Sequence, residues 1–178
     1  MTTAFVPPPT ADRRAAAPLR VCFVCTGNIC RSPMAEQVLR AKVAEAGLDA
    51  LVVVDSAGTG GWHEGDPADH RTVAVLAAAG YGGSHAARRF EAGWFASLDL
   101  VIALDGGHLR ALRRLAPTAR DAAKVRLLRS YDPALPPTAG LDVPDPYYGG
   151  LDGFEECLAM CESACDGLLD ELRARLGR

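Results

Sequence analysis

The chain has 178 residues, 49% of them hydrophobic and 23% charged, with 19 basic against 22 acidic side chains and a formal net charge of -3. That size and balance suit one globular domain and exclude wholesale disorder and fibrous repeats. The slight acidic excess argues against nucleic acid as a partner. No apolar run is long enough to span a bilayer, so no membrane contact is expected.

Residues 1–18 hold a run of three prolines and an Ala-rich stretch. They read as an unstructured tail ahead of one domain over 19–178. They lack a basic start followed by an apolar core, which predicts a cytoplasmic protein with reduced thiols. LRVCFVC, Leu19 to Cys25, predicts a buried strand. Ser32-Pro33 predicts a helix start, with Ser32 as cap, running to about Ala46 before the stop at Gly47. Strands are predicted over 51–55, 98–104 and 125–128, and helices over 68–79, 107–115 and 152–175. Asp152 with Glu155 suggests a capping box for the last helix. This alternation predicts an α/β fold, a parallel sheet with helices on both faces. In such sheets ligands bind at the carboxyl ends of the strands.

The first strand runs into Cys25-Thr26-Gly27-Asn28-Ile29-Cys30-Arg31-Ser32-Pro33. A tight loop ahead of a helix N-terminus presents free N–H groups and the positive end of a dipole, which suits an anion. Gly27 gives the backbone room and Asn28 tolerates a left-handed conformation. Arg31 offers a planar fork to two phosphate oxygens. Cys25 in that setting is expected to ionise readily and act as a nucleophile toward phosphorus. Neither cysteine cluster combines C-x2-C spacing with companion histidines, so no metal is expected.

VCFVCTGNICRSPMAE, Asp145-Pro146-Tyr147-Tyr148 and Ser56-Ala57-Gly58-Thr59 with Trp62-His63 resemble the low-molecular-weight protein tyrosine phosphatases. The resemblance covers about residues 19–172. It implies a single three-layer domain on a four-stranded parallel sheet of order 2-1-3-4, working without cofactor or metal. It also implies that Cys25 forms a phosphocysteine, that Arg31 and the loop N–H groups hold the phosphate, and that Asp145 is the general acid and base. By the same resemblance, Ser32 donates to the Cys25 sulfur, while Asn28, Ser56 and His85 brace the loop. Cys30 is then the thiol that pairs with an oxidised Cys25, a role preferred over simple packing.

Ile29, Trp62, Tyr147 and Tyr148 resemble the family's cleft rim, where aromatic walls fit a phenyl ring. Protein-arginine phosphatases of the same fold resemble this loop but carry threonine in place of Ile29; an apolar residue there favours phosphotyrosine. Arsenate reductase is the other enzyme alternative, but no cysteine lies between Cys30 and Cys157 to relay a disulfide. A phosphopeptide-binding pseudo-phosphatase would lack Cys25 or Asp145, and both are present. The expected partner is a phosphotyrosine-bearing protein, a tyrosine kinase being one candidate, with inorganic phosphate as product. Gly106 departs from the polar residue usual after the aspartate of ALDGGH, which puts a partner contact there in doubt. The arginines and lysine between 110 and 129 read as a solvated face. Cys157, Cys161 and Cys165 fall on an apolar helical stripe and read as packing residues.

Overall fold

The apolar stretch Leu19–Cys25 forms strand β1 at the centre of the sheet. The computed structural model describes residues 17–178, so all but the last two residues of the expected tail lie outside the described residues. Strand β2, Val52–Gly58, pairs with one edge of β1; β3, Leu100–Ala103, pairs with the other; β4, Val125–Leu127, extends β3. All pairings are parallel and the order is β2-β1-β3-β4, as the family resemblance implied.

Side chains of a strand alternate between the two faces, and β1 obeys this closely. Val21, Phe23 and Cys25 join one core, with helix α1 (Arg31–Glu45) and helix α5 (Leu151–Leu176). Cys22 and Val24 join the other, with Phe90, Phe95 and Leu112 of helix α3 (Gly106–Leu115). Cys25 therefore ends its strand facing the layer of α1. Cys157, Cys161 and Cys165 are buried on α5 beside Phe154, Leu168 and Leu172, as the stripe predicts. Arg110, Arg113, Arg114, Arg120 and Arg126 are exposed, as expected of a solvated face, but Lys124 and Arg129 are half-buried and donate to Phe95 O and Asp142 O.

Several boundaries move. Strand β2 continues through Ser56-Ala57-Gly58, three residues past its β-branched run. Helix α2 spans His70–Ala78, because the Asp69 carboxylate caps it by accepting from Arg71 N at 2.9 Å. A short helix α4, Ala119–Ala123, has no counterpart in the sequence reading; Thr118 caps it. Two expected caps fail. Helix α1 starts at Arg31, so Ser32 lies inside its first turn and its hydroxyl is not a cap. Helix α5 starts at Leu151 with Gly150 as N-cap, so Asp152 sits inside the first turn and forms no capping box.

The strand order runs outward in opposite directions from β1, toward β2 on one side and β3 on the other. The crevice at such a switch point lies between the loops that leave β1 and β3. Those loops carry Cys25 to Arg31 and Asp105.

Candidate active site

The loop between β1 and α1 is held from outside by its carbonyls. Cys25 O accepts from Thr59 N at 2.8 Å, Thr26 O from Gly60 N at 3.0 Å and Ile29 O from Asp69 N at 2.8 Å. Asn28 O accepts from His85 Nε2 at 2.6 Å, and Cys30 O from Met34 N at 3.3 Å. In a planar trans peptide the N–H points opposite to its carbonyl. With these five carbonyls turned outward, the N–H groups of Thr26, Gly27, Ile29, Cys30 and Arg31 turn inward. That is an anion-binding nest capped by a helix start.

Asn28 makes the loop's turn at φ 58, in the left-handed region. It is fully buried and its amide is fully used. Nδ2 donates to Ser32 Oγ (2.8 Å) and Ser56 Oγ (3.0 Å), and Oδ1 accepts from Arg88 N (3.0 Å). Ser56 in turn donates to the buried Glu36 carboxylate, which pairs with Arg40 at 2.7 Å. Ser32 Oγ lies 2.9 Å from Cys25 Sγ and 3.3 Å from Ala57 O. Of the two roles read for Ser32, the hydroxyl is within reach of the sulfur and does not cap the helix. Gly58 is needed where the loop meets β2: a Cβ there would come within 2.7 Å of Thr26 O.

Arg31 is buried and its guanidinium is fixed on several sides. Nη1 donates to Asp105 Oδ2 at 2.8 Å and to Val143 O at 3.0 Å; Nη2 lies 3.5 Å from both Thr26 Oγ1 and Asp145 Oδ2. Burial works against its charge, but Cys25, Asp145 and Asp105 outweigh it and raise the guanidinium pKa above its ordinary value. Asp145 comes from the loop ahead of α5. Its side chain is 42% exposed, and Oδ1 accepts from Tyr147 N at 3.2 Å in an Asx turn.

Cys25, Thr26, Gly27, Ile29, Cys30, Arg31, Trp62, Asp145, Tyr147 and Tyr148 line one cavity of about 350 Å³. His63 joins them. Trp62 is 75% and Tyr148 91% exposed, so the cavity has a tall aromatic rim. Tyr147 and Tyr148 meet edge to face at 5.0 Å. Of the expected substrate-binding residues, Asn28 and Ser32 do not line the cavity; they stand behind the loop with Ser56 and His85. Cys30 does line it, and burial, then the charges of Asp69 and Cys25, push its thiol pKa up to about 12.

Asp105, His108, Glu36 and Arg71 carry no role on sequence grounds. Asp105 caps α3 through His108 N (2.9 Å) as well as holding Arg31. His108 Nε2 lies 2.8 Å from Thr26 Oγ1, and burial, then the charge of Arg31, keep the imidazole neutral with its pKa lowered to about 4. Arg71 pairs with Asp69 at 2.9 Å and donates to Gly149 O at 3.3 Å. Its guanidinium lies 4.4 Å from the Phe154 ring centre and 5.5 Å from that of Tyr147, so α2 grips the loop that carries Asp145. The sequence signals for these residues were weak: Asp105 and His108 fall in the family-like ALDGGH stretch, which carried no role for them, and Glu36 and Arg71 are ordinary polar residues of a helix.

Comparison with known proteins agrees with this geometry. Residues 20–177 match the family model described as low molecular weight phosphotyrosine protein phosphatase. A low molecular weight protein-tyrosine-phosphatase of Streptomyces coelicolor is 72% identical over 159 residues, covering 88% of this chain and 95% of that one. Protein-tyrosine phosphatase A of Mycobacterium tuberculosis is 50% identical over 161 residues, 90% of this chain and 96% of its own. The crystal structure of a protein tyrosine phosphatase from Entamoeba histolytica superposes with a TM-score of 0.83 at 33% identity, covering 88% of this chain and 97% of that one. With the cysteine loop, the arginine and the carboxylate gathered at one switch point, the chain belongs to the low molecular weight phosphotyrosine protein phosphatase family, whose members are hydrolases.

Proposed function

We propose that the protein hydrolyses phosphotyrosine through a phosphocysteine on Cys25, with Arg31 binding phosphate and Asp145 shuttling the proton. The observation that carries this reading is the set of carbonyls tied outward around the loop, which turns N–H groups toward the space above the Cys25 sulfur. Those donors and the Arg31 fork hold the three equatorial oxygens of the phosphoryl group, where charge persists through a loose transition state. The Cys25 sulfur attacks in line and the P–O bond to the phenol breaks. Asp145 gives its proton to the departing oxygen, then takes one from the water that cleaves the phosphocysteine and releases inorganic phosphate. Ser32, 2.9 Å from the sulfur, donates to it as it leaves phosphorus. Ile29 and the rim of Trp62, Tyr147 and Tyr148 favour a phenyl ring over a guanidinium. The physiological partner on this reading is a cytoplasmic phosphotyrosine protein.

Cys25→Ser is expected to abolish phosphate release from a phosphotyrosine peptide while still binding vanadate. Asp145→Asn is expected to lower kcat by about 10²–10⁴-fold, more for phenols that leave poorly. Steady-state release assays with phosphotyrosine, phosphoserine and phosphoarginine peptides check both variants. Turnover by Cys25→Ser, or a preference for phosphoarginine, would sink the assignment.

Cys30 serves as a redox partner in this reading. Peroxide converts the Cys25 sulfur to sulfenic acid; the Cys30 thiol condenses with it, forming a disulfide and releasing water. Wild-type activity lost to peroxide is expected to return with dithiothreitol, and Cys30→Ala to recover much less. Equal recovery of the two would leave Cys30 with packing alone.

A further inference from the structure

The phosphate cradle has two flanks. Asn28, Ser56, Glu36 and His85 brace one of them from behind. The other is closed by α3 through a ring of four side chains. Arg31 Nη1 meets Asp105 Oδ2 at 2.8 Å, and His108 Nδ1 lies 3.2 Å from Asp105 Oδ1. His108 Nε2 meets Thr26 Oγ1 at 2.8 Å, and Thr26 Oγ1 lies 3.5 Å from Arg31 Nη2. We propose that His108 is a positioning residue of the reaction, acting through the Thr26 hydroxyl to align the second nitrogen of the Arg31 fork. The inference rests on the roles given above to Cys25 and Arg31.

His108 is 5% exposed and its Nδ1, off the line of a good bond to Asp105, has no hydrogen-bond partner among the described residues. A leucine would fill the same space without the penalty of a buried polar atom lacking a partner. A histidine placed there against that cost points to work done by the ring. The neutral ring carries one proton. Facing a carboxylate oxygen, Nδ1 keeps it, because two lone pairs at that distance would repel. Nε2 is then an acceptor, and the Thr26 hydroxyl donates to it. That choice turns the oxygen lone pairs of Thr26 toward Arg31 Nη2. If His108 were lost, the hydroxyl would rotate freely and could present its proton to the guanidinium, so that Nη2 would lose a steering contact. Asp105 would still hold Nη1, so the fork would tilt rather than detach.

The test uses the full chain and a double-mutant cycle. His108→Leu fills the space but removes the acceptor; Thr26→Val removes the hydroxyl at nearly the same volume. Turnover of p-nitrophenyl phosphate and inhibition by vanadate are measured for each single variant and for the pair. Each single variant is expected to lower kcat/KM and weaken vanadate binding about tenfold, the worth of one well-placed hydrogen bond. The pair is expected to do no worse than the poorer single, because both remove the same link. His108→Gln, whose side-chain oxygen can accept from Thr26, is expected to recover part of the loss. Additive losses, or unchanged vanadate affinity in Thr26→Val, would overturn the proposal. If His108→Leu fails to fold, Thr26→Val and His108→Gln still decide it. Turnover by Cys25→Ser would instead overturn the reading of the site itself, so the two failures are told apart.

Discussion

At the scale of single residues, Asn28 concentrates the demands of the site. It holds a left-handed backbone at φ 58 and spends three side-chain hydrogen bonds to keep the loop closed. Two substitutions separate these roles. Asn28→Gly keeps the backbone and loses the bonds; Asn28→Ala loses both. Urea unfolding is expected to show the alanine variant destabilised by about 3 kcal/mol and the glycine variant by about 1 kcal/mol less. Equal stability of the two would mean that the turn stores no strain. Asn28 was legible in the sequence because few residues tolerate such backbone, whereas Gly27 does not adopt it and instead leaves room for the His63 ring, which a Cβ would approach to 2.9 Å. Of the two roles read for Ser32, the cap failed for a physical reason: Ser-Pro is the usual cap pair, and nothing local says that the helix begins two residues earlier. Glu36 and His108 were not legible, since a helix carries many polar residues and only tertiary contact shows which ones turn inward.

At the scale of elements, the alternation of strand and helix, the sheet class and the position of the Cys25 loop followed from hydrophobic pattern alone. The strand order, the Asp145 loop and the bracing network needed the family resemblance, because they join residues far apart in the chain. Strand β2 shows why its end was missed. Its last residues, Ser56-Ala57-Gly58, are small, chosen for the close approach of the loop rather than for strand propensity. Gly58→Ala drives a methyl group against Thr26 O, a backbone atom that cannot step aside. It is expected to cost about 1–3 kcal/mol of stability and to weaken vanadate binding at least tenfold. Gly82→Ala meets nothing within 4 Å and is the control expected to change neither. Thermal unfolding and vanadate titration check both. Full vanadate affinity in Gly58→Ala would show that the loop does not depend on this contact.

At the scale of the whole molecule, the buried neutral His108 links stability to acidity. Its pKa is near 4 folded and near 6.5 when exposed. Between those values the unfolded chain binds the extra proton, so stability is lost as pH falls. The full effect of such a shift is roughly 3 kcal/mol, spread from about pH 6.5 down to about pH 4. Urea midpoints across that range are expected to fall for the wild type and to fall less steeply for His108→Leu. Parallel curves would place the acid sensitivity elsewhere. Asp105 and Asp69, both held below the usual carboxylate range, add their own losses at the acid end.

The outward-tied carbonyls have one more consequence. A grip made of peptide bonds is invisible to alanine scanning, which trims side chains and leaves amides untouched. Exchanging a single amide for an ester, at Ile29 for example, would remove one donor and keep every side chain. On the proposed reading, the part of the phosphate grip made by main-chain amides is set by backbone shape rather than by the side chains at those positions.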